Sequence, residues 1–288
     1  MADPQDEVAA LTQLLDVEQI RPDLWRGNRY HRGRGRVFGG QVIGQALVAA
    51  WRSVSPDQQA HSLHAYYMRP GDEEQAIDYR VFEDFDGRSF ATRRAVALQG
   101  ETPILSMTAS FQRLEAGLEH GTPLPAVARP ETLEPDDGSG GGSPMMAHFL
   151  KRFRAFEFRP IAPFGEFAPA AQPGPSYLWF RLAGTAPTDP VMRSAMLAYL
   201  SDFGLLTTAV LPHGLPLFSG RLQAASLDHA LWLHETPALD QWMLFTMESP
   251  WAGGARGLTR GTFHTADGRH IASVAQEGLI RPVGPRQA

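Results

Sequence analysis

The chain contains no cysteine, which excludes disulfides, thiolate metal sites and a cysteine nucleophile. Lysine is nearly absent too: Lys151 stands alone among 26 basic residues, a bias that fits codon usage better than a demand for guanidinium chemistry. The formal net charge of only −5 argues against a general nucleic-acid binder, which needs a basic surface to neutralise phosphates. No apolar run approaches the ~20 residues of a membrane-spanning helix. The opening Met1-Ala2-Asp3-Pro4 lacks the basic and then apolar signature of a signal peptide. A soluble cytoplasmic protein with no membrane span is the expectation. Neither a Gly-x-Ser-x-Gly elbow nor a helical His-Glu-x-x-His occurs, so a serine-nucleophile hydrolase and a metal site are both disfavoured.

What is present suffices for two ordinary domains, since 43% of the 288 residues are hydrophobic. Residues 59–114 and 223–282 read as diverged copies of one β-rich unit. Thr92-Arg93 falls on Thr259-Arg260, and Ile104 and Ser106 fall on Ile271 and Ser273 at the same offset. Ser62-Leu63 matches Ser226-Leu227 at an offset three residues shorter, a difference that a change of loop length accounts for. In this alignment Ala109 of the first copy faces Gln276 of the second. Between the copies runs a segment rich in Pro, Gly, Asp and Ser, including Asp136-Asp137-Gly138-Ser139-Gly140-Gly141-Gly142-Ser143. No Lys-Ser or Lys-Thr follows those glycines, so they predict a flexible linker and not a phosphate loop. The expected organisation is an N-terminal repeat over 1–114, a linker over 115–145 and a C-terminal repeat over 146–288.

Each half carries one helix with a broad apolar stripe. Ile43, Ala46, Leu47, Ala50, Trp51 and Val54 form the first, and its small residues would let it approach a sheet closely. In the second, Asp189 can cap and Pro190 can occupy the first turn, with Met192, Ala195, Met196, Tyr199, Phe203 and Leu206 on the stripe. Alternating strands are predicted over 61–69, 76–84, 89–99 and 103–113, then 176–183, 223–234, 241–249, 256–266 and 270–281. Turn signals at Asp86-Gly87 and Asp267-Gly268 separate neighbours. A central helix wrapped by a curved antiparallel sheet, twice over, is an α+β arrangement.

Three side chains can be weighed on their own. Gln276 shares a strand face with Ala272, Val274, Gly278 and Ile280, so an amide interrupts an apolar surface and needs a partner. Either it is a structural amide bonded to a neighbour, or it belongs to a site. Asp202, late in the second helix, faces the unfavourable end of the helix dipole. Partial burial there would raise its pKa and make it a better proton acceptor; a solvated residue on the helix edge is the alternative. Ser226, Asp228, His229 and His234 crowd one strand, yet Ser226 and His229 fall on opposite faces if that strand is regular, which speaks against a catalytic triad. Arg32, Arg34 and Arg36, interleaved with glycines, read equally as phosphate contacts and as an exposed loop.

Several motifs in order give the chain a family resemblance: Val37-Phe38-Gly39-Gly40-Gln41-Val42-Ile43-Gly44-Gln45-Ala46, His61-Ser62-Leu63-His64-Ala65-Tyr66-Tyr67-Met68-Arg69-Pro70-Gly71-Asp72, Met107-Thr108-Ala109-Ser110-Phe111-Gln112, Ser226-Leu227-Asp228-His229 and Ala275-Gln276-Glu277-Gly278. Together they resemble the acyl-CoA thioesterase II family with its double hotdog fold. The resemblance implies hydrolysis of fatty acyl-CoA by a water held between Asp202, Ser226 and Gln276, with no cofactor. Many bacterial relatives carry Thr where Ser226 stands, and the hydroxyl is kept. The tail Arg286-Gln287-Ala288 lacks the peroxisomal signal of some eukaryotic relatives. It also implies an acyl-CoA substrate and a homo-oligomer, a dimer of double hotdogs. A hotdog enoyl-CoA hydratase and a non-catalytic acyl-CoA binder are the competing readings. The first would need an Asp and a His close together on the central helix, whereas no histidine follows Asp202 until His213.

Overall fold

A computed structural model describes residues 3–30, 35–134, 148–162, 171 and 174–284. It opens with α1 (Pro4–Leu15), where Asp3 is the N-cap and accepts the Gln5 N–H at 2.9 Å, with Pro4 in the first turn. The hairpin β1 (Val17–Arg21) and β2 (Leu24–Gly27) follows. None of these three was among the expected elements, although Asp3-Pro4 is a start signal and Val8, Leu11 and Leu15 share the buried face. Next come α2 (Gly39–Trp51) and the predicted meander β3 (Gln58–Tyr67), β4 (Ile77–Asp86), β5 (Phe90–Gln99) and β6 (Thr102–Arg113).

The second half comprises β7 (Phe156–Pro160), β8 (Ser176–Leu182), α3 (Pro190–Ser201), α4 (Leu205–Val210), β9 (Leu222–Ser226) and β10 (Asp228–Leu233). It closes with β11 (Met243–Gly253), β12 (Arg256–Thr265) and β13 (His270–Pro282). One antiparallel sheet runs in the order β1-β2-β4-β5-β6-β3-β10-β13-β12-β11-β8-β7, with β9 pairing β13 off that path. The two halves join where β3 pairs β10, Tyr66 opposite Asp228 and Ser62 opposite Trp232. The curved sheet wraps α2 and α3, giving the α+β double hotdog.

Both central helices are apolar around most of their circumference, as helices at the centre of a core must be. Every residue of α2 from Gly40 to Trp51 is buried. The helices cross antiparallel at small residues: a side-chain carbon on Gly40 would lie 2.2 Å from the Tyr199 carbonyl oxygen, and one on Gly44 would lie 3.1 Å from that of Ala195. This crossing brings the N-terminus of α2 to the C-terminus of α3.

Four expectations change. First, the predicted second helix breaks: α3 stops at Ser201, Asp202 caps it, and Gly204 at φ 84° lets α4 restart in a new direction. The whole stretch Pro190–His213 is long and apolar enough for a membrane by composition, against the expectation of no such run, but 83% of its most apolar window is buried inside the protein. Second, the predicted strand 223–234 is two strands. Leu227 interrupts it, donating to the Glu277 carbonyl at 3.0 Å and accepting the Tyr67 N–H at 2.9 Å. Third, the part of the linker over 120–134 is bonded to the C-terminal half. His264 Nε2 lies 2.8 Å from the Thr122 carbonyl, Trp179 Nε1 donates to Ala128 O at 2.9 Å, and Arg159 Nη1 donates to Pro130 O and Leu133 O at 2.7 and 2.9 Å. The glycine run 138–143 lies outside the described residues.

Fourth, the strand register corrects the repeat alignment. Ala109 pairs with Arg93 on β5, and Gln276 pairs with Thr259 on β12. Arg93 and Thr259 are both buried, so they are the structural counterparts, one residue away from the alignment of Thr92 with Thr259. Identical neighbours had outweighed face parity in the sequence comparison.

Candidate active site

α2 begins without a side-chain cap, because its N-cap residue is Phe38. A helix start leaves backbone N–H groups without intrahelical partners, and here one of them is satisfied from the other repeat. Gly40 N donates to Asp202 Oδ2 at 3.0 Å. The residue that ends α3 thus caps α2, and the favourable N-terminal end of one dipole offsets the unfavourable C-terminal end of the other. Only glycine at 39 and 40 permits this approach, since a side-chain carbon on Gly39 would fall 2.7 Å from Asp202 Oδ2.

The three residues singled out in the sequence meet. Ser226 Oγ donates to Asp202 Oδ1 at 3.3 Å, and Gln276 Nε2 donates to Ser226 Oγ at 3.0 Å. Gln276 is 2% exposed, which makes its partners obligatory. The structural amide and the site amide turn out to be compatible, because the neighbour that satisfies Gln276 belongs to the same network. Burial pushes the Asp202 carboxyl up to about 7, against the opposing hydrogen bonds from Ser226, Gly40 and Gln276. Desolvation wins, leaving a carboxylate that can take a proton near neutrality. Asp202, Ser226, Tyr67, Val42, Leu206 and Phe149 are among the residues lining a cavity of about 420 Å³. Arg36 and Arg69 stand on its wall as well. The backbone of Arg36 pairs antiparallel with that of Asp72, while Arg32 and Arg34 lie outside the described residues.

Sequence reasoning set His229 aside, and the structure places it within the network. Between β9 and β10 the register against β13 shifts by one residue, since Ser226 pairs with Gly278 but Ala230 pairs with Ala275. The irregularity at Leu227 reverses the parity of everything after it, so Ser226 and His229 both reach Gln276. His229 Nδ1 lies 2.7 Å from Gln276 Oε1, and His229 Nε2 lies 2.8 Å from Ser201 Oγ. Burial lowers the imidazole to about 4, so it is neutral at pH 7. With the Gln276 amide nitrogen directed at Ser226, its oxygen accepts from Nδ1–H, and Nε2 stands against Ser201 Oγ, whose one hydrogen also faces the Ala198 carbonyl at 2.8 Å. Both ring nitrogens are occupied, so His229 orients the amide and does not activate Ser226. The donors then run in one direction, His229 to Gln276 to Ser226 to Asp202, and end on the carboxylate. Asp228, whose parity also moved, accepts the Glu277 N–H at 2.6 Å.

Comparison with known proteins accounts for both halves. Residues 28–112 match the family model described as the acyl-CoA thioesterase N-terminal domain, and residues 161–279 match the one described as acyl-CoA thioesterase. The chain belongs to the acyl-CoA thioesterase family. It is 36% identical over 277 residues to acyl-CoA thioesterase 2 of Haemophilus influenzae, covering 94% of this chain and 96% of that one. Human acyl-coenzyme A thioesterase 8 is 36% identical over 298 residues, covering 97% and 92%. Among solved structures, the acyl-CoA thioesterase II TesB2 of Mycobacterium marinum superposes with a TM-score of 0.80 at 36% identity, covering 95% of this chain and 99% of that one. Within this thioesterase frame the helix crossing, the interrupted strand and the polar network form one assembly. Gly40 and Ser201 are its members that no sequence signal exposed, because backbone donation and a buried serine leave no periodic trace.

Proposed function

We propose that this thioesterase hydrolyses fatty acyl-CoA to a free fatty acid and coenzyme A, with Asp202 as the general base. The observation that carries the reading is a carboxyl held near 7 at the wall of the cavity, with Ser226 and Gln276 aligned behind it. A water in that cavity gives a proton to Asp202 while Ser226 and Gln276 fix its direction, and its oxygen attacks the thioester carbonyl carbon. The C–S bond then breaks and the sulfur leaves as thiolate. A thiol with a pKa near ~8.5 departs with little help from an acid, so no second titrating group is required. No acyl-enzyme forms. Val42, Ile104, Leu105 and Leu206 offer the acyl chain an apolar wall, and the guanidinium groups of Arg36 and Arg69 suit the phosphates of coenzyme A.

Thiol release from acyl-CoA, followed with a chromogenic thiol reagent, tests the reading. The parent is expected to turn over, and Asp202→Asn and Gln276→Ala are each expected to lose about 10²-fold or more in kcat. Full turnover by Asp202→Asn refutes the assigned base. A hydratase or a binder would release no thiol from any acyl-CoA. Association into a dimer of double-hotdog chains is proposed alongside, supported by Tyr66 and Trp232, which are exposed on the adjoining strands β3 and β10. Sedimentation at graded concentration tests it, and a monomer throughout would refute it.

A further inference from the structure

Tyr67 ends β3, and its phenol oxygen is buried without a hydrogen-bond partner among the described residues. A buried polar group left unpaired is costly, and the exceptions to pairing call for a partner supplied from elsewhere. Tyr67 and Asp202 line the same cavity. Their oxygens converge on one point, the place a side-chain carbon on Gly39 would take, which lies 2.6 Å from the phenol oxygen and 2.7 Å from Asp202 Oδ2. Glycine at 39 is what lets both oxygens come so close to the start of α2.

Neighbouring donors are directed elsewhere: Gly40 N–H and Ser226 O–H go to Asp202, and one Gln276 Nε2–H goes to Ser226. The phenol is a side-chain donor beside the carboxylate that no described residue uses. A donor aimed at the attacking water would occupy the lone pair that must form the new bond. On the carbonyl oxygen a donor strengthens as negative charge builds there. Burial and the nearby carboxylates of Asp202 and Asp228 raise the phenol well above its ordinary range, so it keeps its proton at neutral pH.

We propose that Tyr67 donates its phenol hydrogen to the carbonyl oxygen of the bound thioester while the water held by Asp202 attacks. This rests on the hydrolase reading above. As the water oxygen bonds to the carbonyl carbon, its proton passes to Asp202 and the carbonyl π pair moves to oxygen, where the Tyr67 hydrogen bond stabilises it. That pair then re-forms the carbonyl and expels the thiolate. Tyr67 keeps its proton throughout.

The test is Tyr67→Phe, which retains the ring and removes a hydroxyl that no described residue bonds. Melting temperature is expected to be unchanged. Because loss of one oxyanion donor costs on the order of 10²–10³ in kcat, a fall of at least about tenfold is expected, with KM within about twofold. Two unreactive ligands separate a carbonyl contact from a packing defect. A ketone analogue, with methylene in place of sulfur, is expected to bind the variant at least about fivefold more weakly than the parent. An S-alkyl thioether of coenzyme A, which has no carbonyl, is expected to bind both equally. Unchanged kcat, or equal weakening for both ligands, would overturn the proposal. Those outcomes with an active parent leave the hydrolase reading intact, whereas an inactive parent would sink that reading itself. Should the variant fail to fold, a crystal structure of the parent with the ketone decides: its oxygen within hydrogen-bond reach of Tyr67 supports the assignment, and an oxygen turned to another donor refutes it.

Discussion

Asp202 concentrates three opposing influences in one side chain. Burial disfavours its charge, whereas the Ser226 hydroxyl and the Gly40 N–H favour it, and burial prevails with the carboxyl at about 7. Two consequences follow for pH. Turnover requires the deprotonated form, so kcat should rise with pH up to about 7 and level off above it, and Asp202→Asn should abolish this limb along with most of the activity. The second consequence concerns stability. Because the folded-state value lies above the ordinary carboxyl value of 3.8, the folded protein holds more protons than the unfolded chain between those limits. Stability from this group is therefore present at low pH and lost as pH rises through about 7. Asp202→Asn should melt higher than the parent at pH 8 and show a much smaller gain at pH 5, with about 4 kcal/mol as the upper bound at high pH. Calorimetry at the two pH values checks it, and an equal shift at both would refute the assigned pKa. At this scale the three polar residues were legible in the sequence, through motif and through an amide breaking an apolar face. The Gly40 contact was not, because its partner is 162 residues away and the donor is backbone. His229 was misjudged because alternation was counted through a residue, Leu227, that breaks it.

The crossing of α2 and α3 depends on the absence of side chains at its tightest points. Gly40 meets a backbone oxygen, which cannot rotate away. Gly40→Ala should push the helices apart, costing roughly 1–3 kcal/mol and several degrees of melting temperature. Because the same displacement moves the N–H that caps onto Asp202, kcat should fall together with stability. A variant with parental melting temperature and activity would contradict the packing described. Segment 120–134 makes a second case. It belongs to a linker whose overall richness in Pro, Gly, Asp and Ser pointed to flexibility. Its order comes instead from Arg159 and Trp179, donors on the body it crosses, and from its own Arg129, whose Nη1 donates to Ala266 O at 2.6 Å. Such tethering has no local signature. Arg159→Ala should make this stretch more susceptible to proteinase K in the native protein, read by mass spectrometry of the fragments, while the parent resists. The meander strands were readable because alternation and turn glycines are local, whereas the first hairpin, with strands of five and four residues, is too short for alternation to stand out.

At the scale of the molecule, the β3–β10 pairing and the α2–α3 crossing join the two repeats through one main hydrophobic core among the described residues. The chain is therefore expected to unfold in one cooperative transition, with tryptophan fluorescence and far-UV circular dichroism giving coincident curves in urea. Two separated transitions would refute that unity. The duplicated plan was visible in the sequence through shared residues and repeated spacing. The exact correspondence was not, since identity at Thr259 misled by one position and only hydrogen-bond register reveals that Arg93 is its counterpart.

That counterpart shows what covalent fusion permits. At the opposite end of the helix pair, Ala109 stands in the place of Gln276, and buried Arg93 spends its guanidinium on Ser53, Asp86 and carbonyls of its own neighbourhood. Two identical subunits related by a two-fold axis could never differ in this way, because every substitution would appear at both ends. Tethered halves can diverge, leaving one end to specialise in chemistry while the other is released to become scaffold.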